Sequence, residues 1–229
     1  MRAYFTSPIG YVFVAIFLSL SGLIFSFSTV WSGTSDATGY FSLMMFLFII
    51  LVPILTMKLF SEERKMKTEQ ILLTSPVSLW GITFGKFLAA FLMFAGTFLL
   101  SCILNFIAIS IVAEGGLNFS TMIGSIFGMM MLGGVFVAIG LFVSALTENQ
   151  FIAAVSTFGI IILMFCLNLV QSYIGSPVLR YIISWFSIIE RFSYFTNGIF
   201  SLPSIVYYIS ITFIFLFVTV QVYEKRRWG

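Results

Sequence analysis

Histidine is absent from the 229 residues, and acids number only eight. Without imidazole the chain lacks the usual general base, the Ser-His-Asp arrangement and histidine-containing metal sites, which disfavours the familiar intramembrane hydrolases. The acids all fall in loops or at the ends of apolar runs, so no carboxylate stands mid-span to relay protons as in many ion-coupled transporters. The two cysteines, Cys102 and Cys166, lie inside apolar runs, where packing accounts for them better than a disulfide or a metal. A nucleotide loop is missing as well. The stretch 81–87 reads GITFGKF, its glycines one position too close and Phe87 standing where a phosphate loop needs Ser or Thr for magnesium. Charge is scarce overall, at 8% against 60% hydrophobic and 18% aromatic residues, a balance no soluble domain of this length shows.

What is present is lipid-soluble sequence in long runs. A hydrocarbon core of roughly 30 Å takes about 20 helical residues. Six runs of that order lie between charges and turn residues: 11–30, 40–57, 83–112, 121–146, 151–170 and 204–222. The expected fold is therefore all-α, a single six-span membrane domain over 1–229. Basic loops near span ends stay in the cytoplasm. With both termini inside, Arg2, Lys58, Arg64, Lys65, Lys67, Lys86, Lys225, Arg226 and Arg227 are cytoplasmic, and only Arg180 and Arg191 lie outside. The net charge of +3 follows from that topology and calls for no nucleic acid. The first run is too long for a secretory signal and five more follow it, so it is read as part of the mature protein.

Seven of the nineteen charged residues gather in 61–86, SEERKMKTEQILLTSPVSLWGITFGK, between the second and third runs. The pattern predicts an amphipathic helix over 61–73 on the cytoplasmic surface, within a cytoplasmic segment 58–82. Ser61 suits an N-cap, Glu62 and Glu63 stand where the helix dipole favours anions, and Glu63 precedes Lys67 by four residues. Leu59, Met66 and Leu73 are seven apart and mark one apolar stripe. Ser75 followed by Pro76 predicts the start of the next helix. On charge and periodicity alone, a docking helix and a solvated loop that obeys the positive-inside rule account equally well for the stretch.

Other polar features are sparse. Asn105 in the third run, with Asn168 and Gln171 at the end of the fifth, either bond between helices, the better-weighted account, or line a path. Gly124 and Gly128 have GxxxG spacing and permit close packing within the subunit or across a dimer. Pro53 removes a hydrogen bond from the second run and predicts a kink there. The 145–150 turn, ALTENQ, offers a second cytoplasmic surface. The semi-polar, aromatic segment 171–203 predicts short helices lying at, or dipping into, the outer interface.

Ser61-Glu62-Glu63-Arg64, Thr68-Glu69, Leu72-Leu73-Thr74-Ser75-Pro76-Val77-Ser78 and Gly85-Lys86 resemble permeases of the second exporter class of ATP-binding-cassette transporters. The group in view includes the gliding-motility and copper-associated nitrous-oxide-reductase permeases. Agreement continues more weakly through Thr6 to Gly10, Leu146 to Gln150, Gly198 and Tyr207-Tyr208. Such permeases have six spans, dimerise, and seat the helix between spans two and three in a groove of a cytoplasmic ATPase. The resemblance implies that 61–73 is this coupling helix. Glu62, Glu63, Arg64, Lys67 and Glu69 would pair with the ATPase surface, Met66, Leu72 and Leu73 would fill an apolar pocket, and Thr147 and Glu148 would add a second contact. It also implies two ATPase subunits carrying ATP and magnesium, no cofactor on this chain, and a second copy or related permease, for which Gly124 and Gly128 are candidate packing positions. An extracytoplasmic accessory protein and a bacterial inner membrane complete that picture. The family often has glycine before the Thr-Glu pair, and Lys67 in its place implies a continuous helix. Apart from the resemblance, an ATPase-independent scaffold or channel that recruits a cytoplasmic protein through the same stretch is the alternative.

Overall fold

The computed structural model describes residues 8–31, 38–70, 77–112, 119–171 and 187–228. Six of its helices are long and apolar enough to cross a membrane. In chain order the elements are α1 (Pro8–Phe25), which runs on into a π-helical turn (Ser26–Val30), α2 (Thr38–Thr56), the short α3 (Ser61–Lys65), α4 (Leu79–Val112), α5 (Phe119–Leu146), α6 (Gln150–Gln171), α7 (Ile188–Thr196) and α8 (Leu202–Trp228). Among the described residues no strand occurs. The six expected runs are the six long helices. At the described start of α4, Ser78 accepts from the backbone N–H of Gly81 at 3.2 Å. A serine hydroxyl there serves an otherwise unpaired first-turn donor. Ser75 and Pro76 lie outside the described residues.

The bundle is organised around α5. Every residue from Leu132 to Leu141 is buried, the pattern of a helix enclosed on all sides. It packs against α2, α4, α6, α7 and α8. By contrast α1, α6 and α8 turn much of their apolar surface outward, as at Phe151, Leu163, Val206 and Phe213. Lipid is the natural solvent for such faces.

Glycine on α5 lets its neighbours approach. A Cβ built on Gly128 would lie 2.7 Å from the Cβ of Phe195 on α7, and one on Gly124 would collide with the Phe195 carbonyl. Of the two expected uses of this pair, within the subunit or across a dimer, the structure shows the first: both glycines are buried within the chain and hold α7. Gly133 admits the Phe94 ring from α4, and Gly140 admits Thr56 from α2.

Two further clusters join α1, α2 and α4. Phe48 of α2 meets the rings of Phe94 and Phe98 edge-on at 4.7 and 5.4 Å and that of Phe17 at 6.0 Å. Towards the α2 start, Asn105 donates to Tyr40 Oη at 3.0 Å and Ser21 Oγ at 3.2 Å, while Ser101 bonds both Ser21 and Tyr40. Asn105 thus serves as interhelical glue in a buried site. Pro53 lies inside α2, which carries on to Thr56.

Candidate functional site

The ends of α2, α5 and α8 and the starts of α4 and α6 meet at one end of the bundle, around α3. After α2 the chain turns through 57–60 and enters α3 at Phe60, whose side chain makes no capping bond. Ser61 is not the cap expected of it. Its hydroxyl donates back to the Met57 carbonyl and the residue is fully buried. The unpaired donors at the helix start are met from another helix: Ser144 Oγ on α5 accepts from the N–H groups of Phe60 at 2.9 Å and Ser61 at 3.1 Å. Ser144 in turn donates to Met57 O at 3.3 Å. One buried hydroxyl therefore seats α3 on the central helix.

α3 stops after Lys65, and the stop has a defined form. Thr68 N–H bonds the Glu63 carbonyl and Lys67 N–H the Arg64 carbonyl, both at 3.0 Å, and Lys67 takes the left-handed conformation at φ +57°. This is the Schellman ending, at a position where glycine is usual. The continuous helix expected from Lys67 is corrected: the backbone turns as if glycine were there, and lysine bears the cost of a left-handed residue. The apolar stripe breaks with it. Leu59 is buried in the core and Met66 is 67% exposed at the tip, while Leu72 and Leu73 lie outside the described residues.

The charges are mostly engaged within the chain. Arg64 Nη1 donates to the Leu146 carbonyl at 2.7 Å, where α5 ends, and Nη2 pairs with Glu148 at 3.0 Å. A guanidinium at a helix C-terminus satisfies carbonyls that have no partner in the helix and complements its dipole. Arg64 Nε also lies 3.4 Å from Glu69 Oε2, an ion pair without hydrogen-bond alignment. The other oxygen of Glu69 accepts from Arg226 Nη1 of α8 at 3.1 Å. Glu69 thus bridges two arginines, and its side chain is only 16% exposed. Glu63 pairs not with Lys67 but with Lys86 of α4, at 2.5 Å. The Lys86 ammonium also sits 4.1 Å above the Phe60 ring, whose other neighbour is Tyr223 of α8 at 4.7 Å. The adjoining 146–150 turn is fixed by its own side chains: Thr147 Oγ1 accepts from Asn149 N–H at 3.2 Å, and Asn149 caps α6 by accepting from Phe151 N–H at 2.9 Å.

With this geometry in place, one comparison decides the family. The family model described as ABC-2 family transporter protein matches residues 17–226. The chain belongs to that family. No curated protein matches it. Members are membrane components, typically non-catalytic, that work with an ABC ATPase subunit and dimerise. The six apolar helices accord with that membership, and the ABC-2 transporter protein is a multi-pass membrane protein.

Within this ABC-2 protein the residues named from sequence fall into groups. Arg64 and Glu69 are largely enclosed and join α3 to α5 and α8. Glu62 and Glu63 are half-buried at the start of α3, and Thr147 is half-buried below it. Lys65, Met66, Lys67 and Glu148 are exposed. The amides stand apart from this end. Asn105 lies in the Tyr40 cluster, Asn168 donates to Ser187 Oγ at 2.8 Å before α7, and the side chain of Gln171 lies outside the described residues. Sequence reasoning missed Ser144, Tyr223 and the roles of Lys86 and Arg226. The two cations were visible only as topology signals, and a serine near a span end carries no signal of its own. Among the described residues no group of three or more Cys, Asp or Glu could hold a metal ion.

Proposed function

We propose that this chain is the permease subunit of an ATP-driven exporter, with its 61–70 end in the cytoplasm and with the exposed tip at Met66 and Lys67 entering a groove of a separate ABC ATPase. Two permease chains and two ATPase subunits, the latter carrying ATP and magnesium, make the working assembly. The Ser61-Glu62-Glu63-Arg64 block favours the gliding-motility and nitrous-oxide-reductase-associated group. The observation that carries the proposal is the way α3 is held. Ser144 seats its start, Arg64 and Glu69 fasten its flank, and the left-handed turn at Lys67 projects an apolar side chain between Lys65 and Lys67. A force on that tip reaches α5, the most enclosed helix, through short bonds. ATP closure would then rock the spans between two arrangements.

The test uses co-purification of the ATPase with the membrane-embedded permease. Met66→Glu places a charge in the intended apolar contact and should lower complex yield by about tenfold, the scale of an interface hot spot, while membrane insertion is unchanged. Equal ATPase yield from wild type and variant would contradict docking at the tip.

A further inference from the structure

We propose that α8 is a transmission rod, gripped at one end by the 61–70 turn through Arg226 and at the other by α7, so that Arg226 positions α7 in response to the ATPase. The inference rests on the docking reading above and adds a route across the molecule. At the near end Arg226 shares Glu69 with Arg64, and the Tyr223 ring packs on Phe60, the residue that starts α3. Arg226 also lies 5.5 Å from the Tyr223 ring centre. Polar and aromatic contacts thus hold two successive turns of α8 against the α3 region.

At the far end Tyr208, fully buried on α8, donates to the Ile188 carbonyl in the first turn of α7 at 2.8 Å. The Arg191 guanidinium of α7 lies 4.3 Å from the centre of the Tyr207 ring. α8 is one uninterrupted helix of 27 residues, and the stretch from Tyr208 to Arg226 is about 27 Å of stiff element at 1.5 Å per residue. It packs along α5 but keeps a largely lipid-facing outer surface. A stiff helix gripped at both ends and guided along α5 between them passes an axial shift or rotation from one end to the other. α7 is in turn seated on α5 through Phe195 and on α6 through the Asn168 to Ser187 bond. Movement arriving by α8 is therefore delivered to one rigid piece.

The experiment reconstitutes the full permease with its ATPase and follows Tyr194→Cys, an exposed site on α7, by its rate of labelling with a water-soluble maleimide in a Cys166→Ser background. Adding ATP to the otherwise wild-type complex should change that rate at least about twofold, within the range of long-range couplings. Arg226→Gln should abolish the change while the ATPase remains bound, and Arg226→Lys, which keeps the charge on Glu69, should restore most of it. A merely structural residue would lower complex yield and labelling response together. Retention of the ATP response by Arg226→Gln overturns the inference, as does loss of ATPase binding in that variant. Failure of the wild type to respond while it binds and hydrolyses overturns the rod alone. Absence of any bound ATPase removes the docking reading first.

Discussion

The two ends of the bundle hold their short helices by different physics. α7 is packed: Phe195, fully buried, fills the notch left by Gly124 and Gly128, and neutral bonds from Asn168 and Tyr208 fix its start. α3 is tied: one serine hydroxyl seats it, and ion pairs from Arg64, Glu63 and Glu69 hold its flank near the surface. Close packing tolerates little displacement, because interiors are dense and any gap forfeits contacts. Part-exposed ion pairs are worth about 1 kcal/mol or less each. The tied end is therefore held by weaker contacts than the packed end, as the proposed docking of an ATPase at that end requires.

The contrast can be broken most strongly at the packed end. Phe195→Ala empties the glycine notch and should cost about 3–5 kcal/mol of stability, read as an early loss of folded protein on thermal denaturation in detergent. At the tied end, Ser144→Ala strands two backbone donors and should cost about 1–3 kcal/mol. It should disturb ATPase binding more than Phe195→Ala does at temperatures where both variants are folded. A reversed order of the two stability losses would show that the α3 end is not the lightly held one. The smallest effect sharpens the turn itself. Lys67→Gly relieves a left-handed residue and should stabilise the protein by up to about 1 kcal/mol in thermal denaturation; a loss of stability would contradict the turn geometry.

The spans were legible in the sequence because bilayer thickness imposes a length on apolar runs, and that rule needs no tertiary information. The charged 61–86 stretch was legible for the same reason, as the place where charge had to go. Its internal structure was not. Ser61 followed by two acids is a sound capping signal, yet burial under α5 turned the hydroxyl to the Met57 carbonyl and left the task to Ser144. A lysine ordinarily favours continuing a helix over a left-handed stop, so the ending at Lys67 is imposed by its surroundings against local preference. The spacing of Gly124 and Gly128 correctly announced close approach but is silent on the partner, which proved to be Phe195 of the same chain. Arg226 belongs to a basic run whose topological meaning conceals that one member has a partner 157 residues earlier in the chain.

The most direct test of the central claim is a photo-crosslinker placed at Met66 in the full complex within native membranes, with a second at exposed Phe200 beyond α7 as control. The account predicts an adduct between residue 66 and a nucleotide-binding ATPase subunit, and none to that subunit from residue 200. An ATPase adduct formed from 200 and not from 66, or adducts from 66 only to proteins without a nucleotide site, would contradict it.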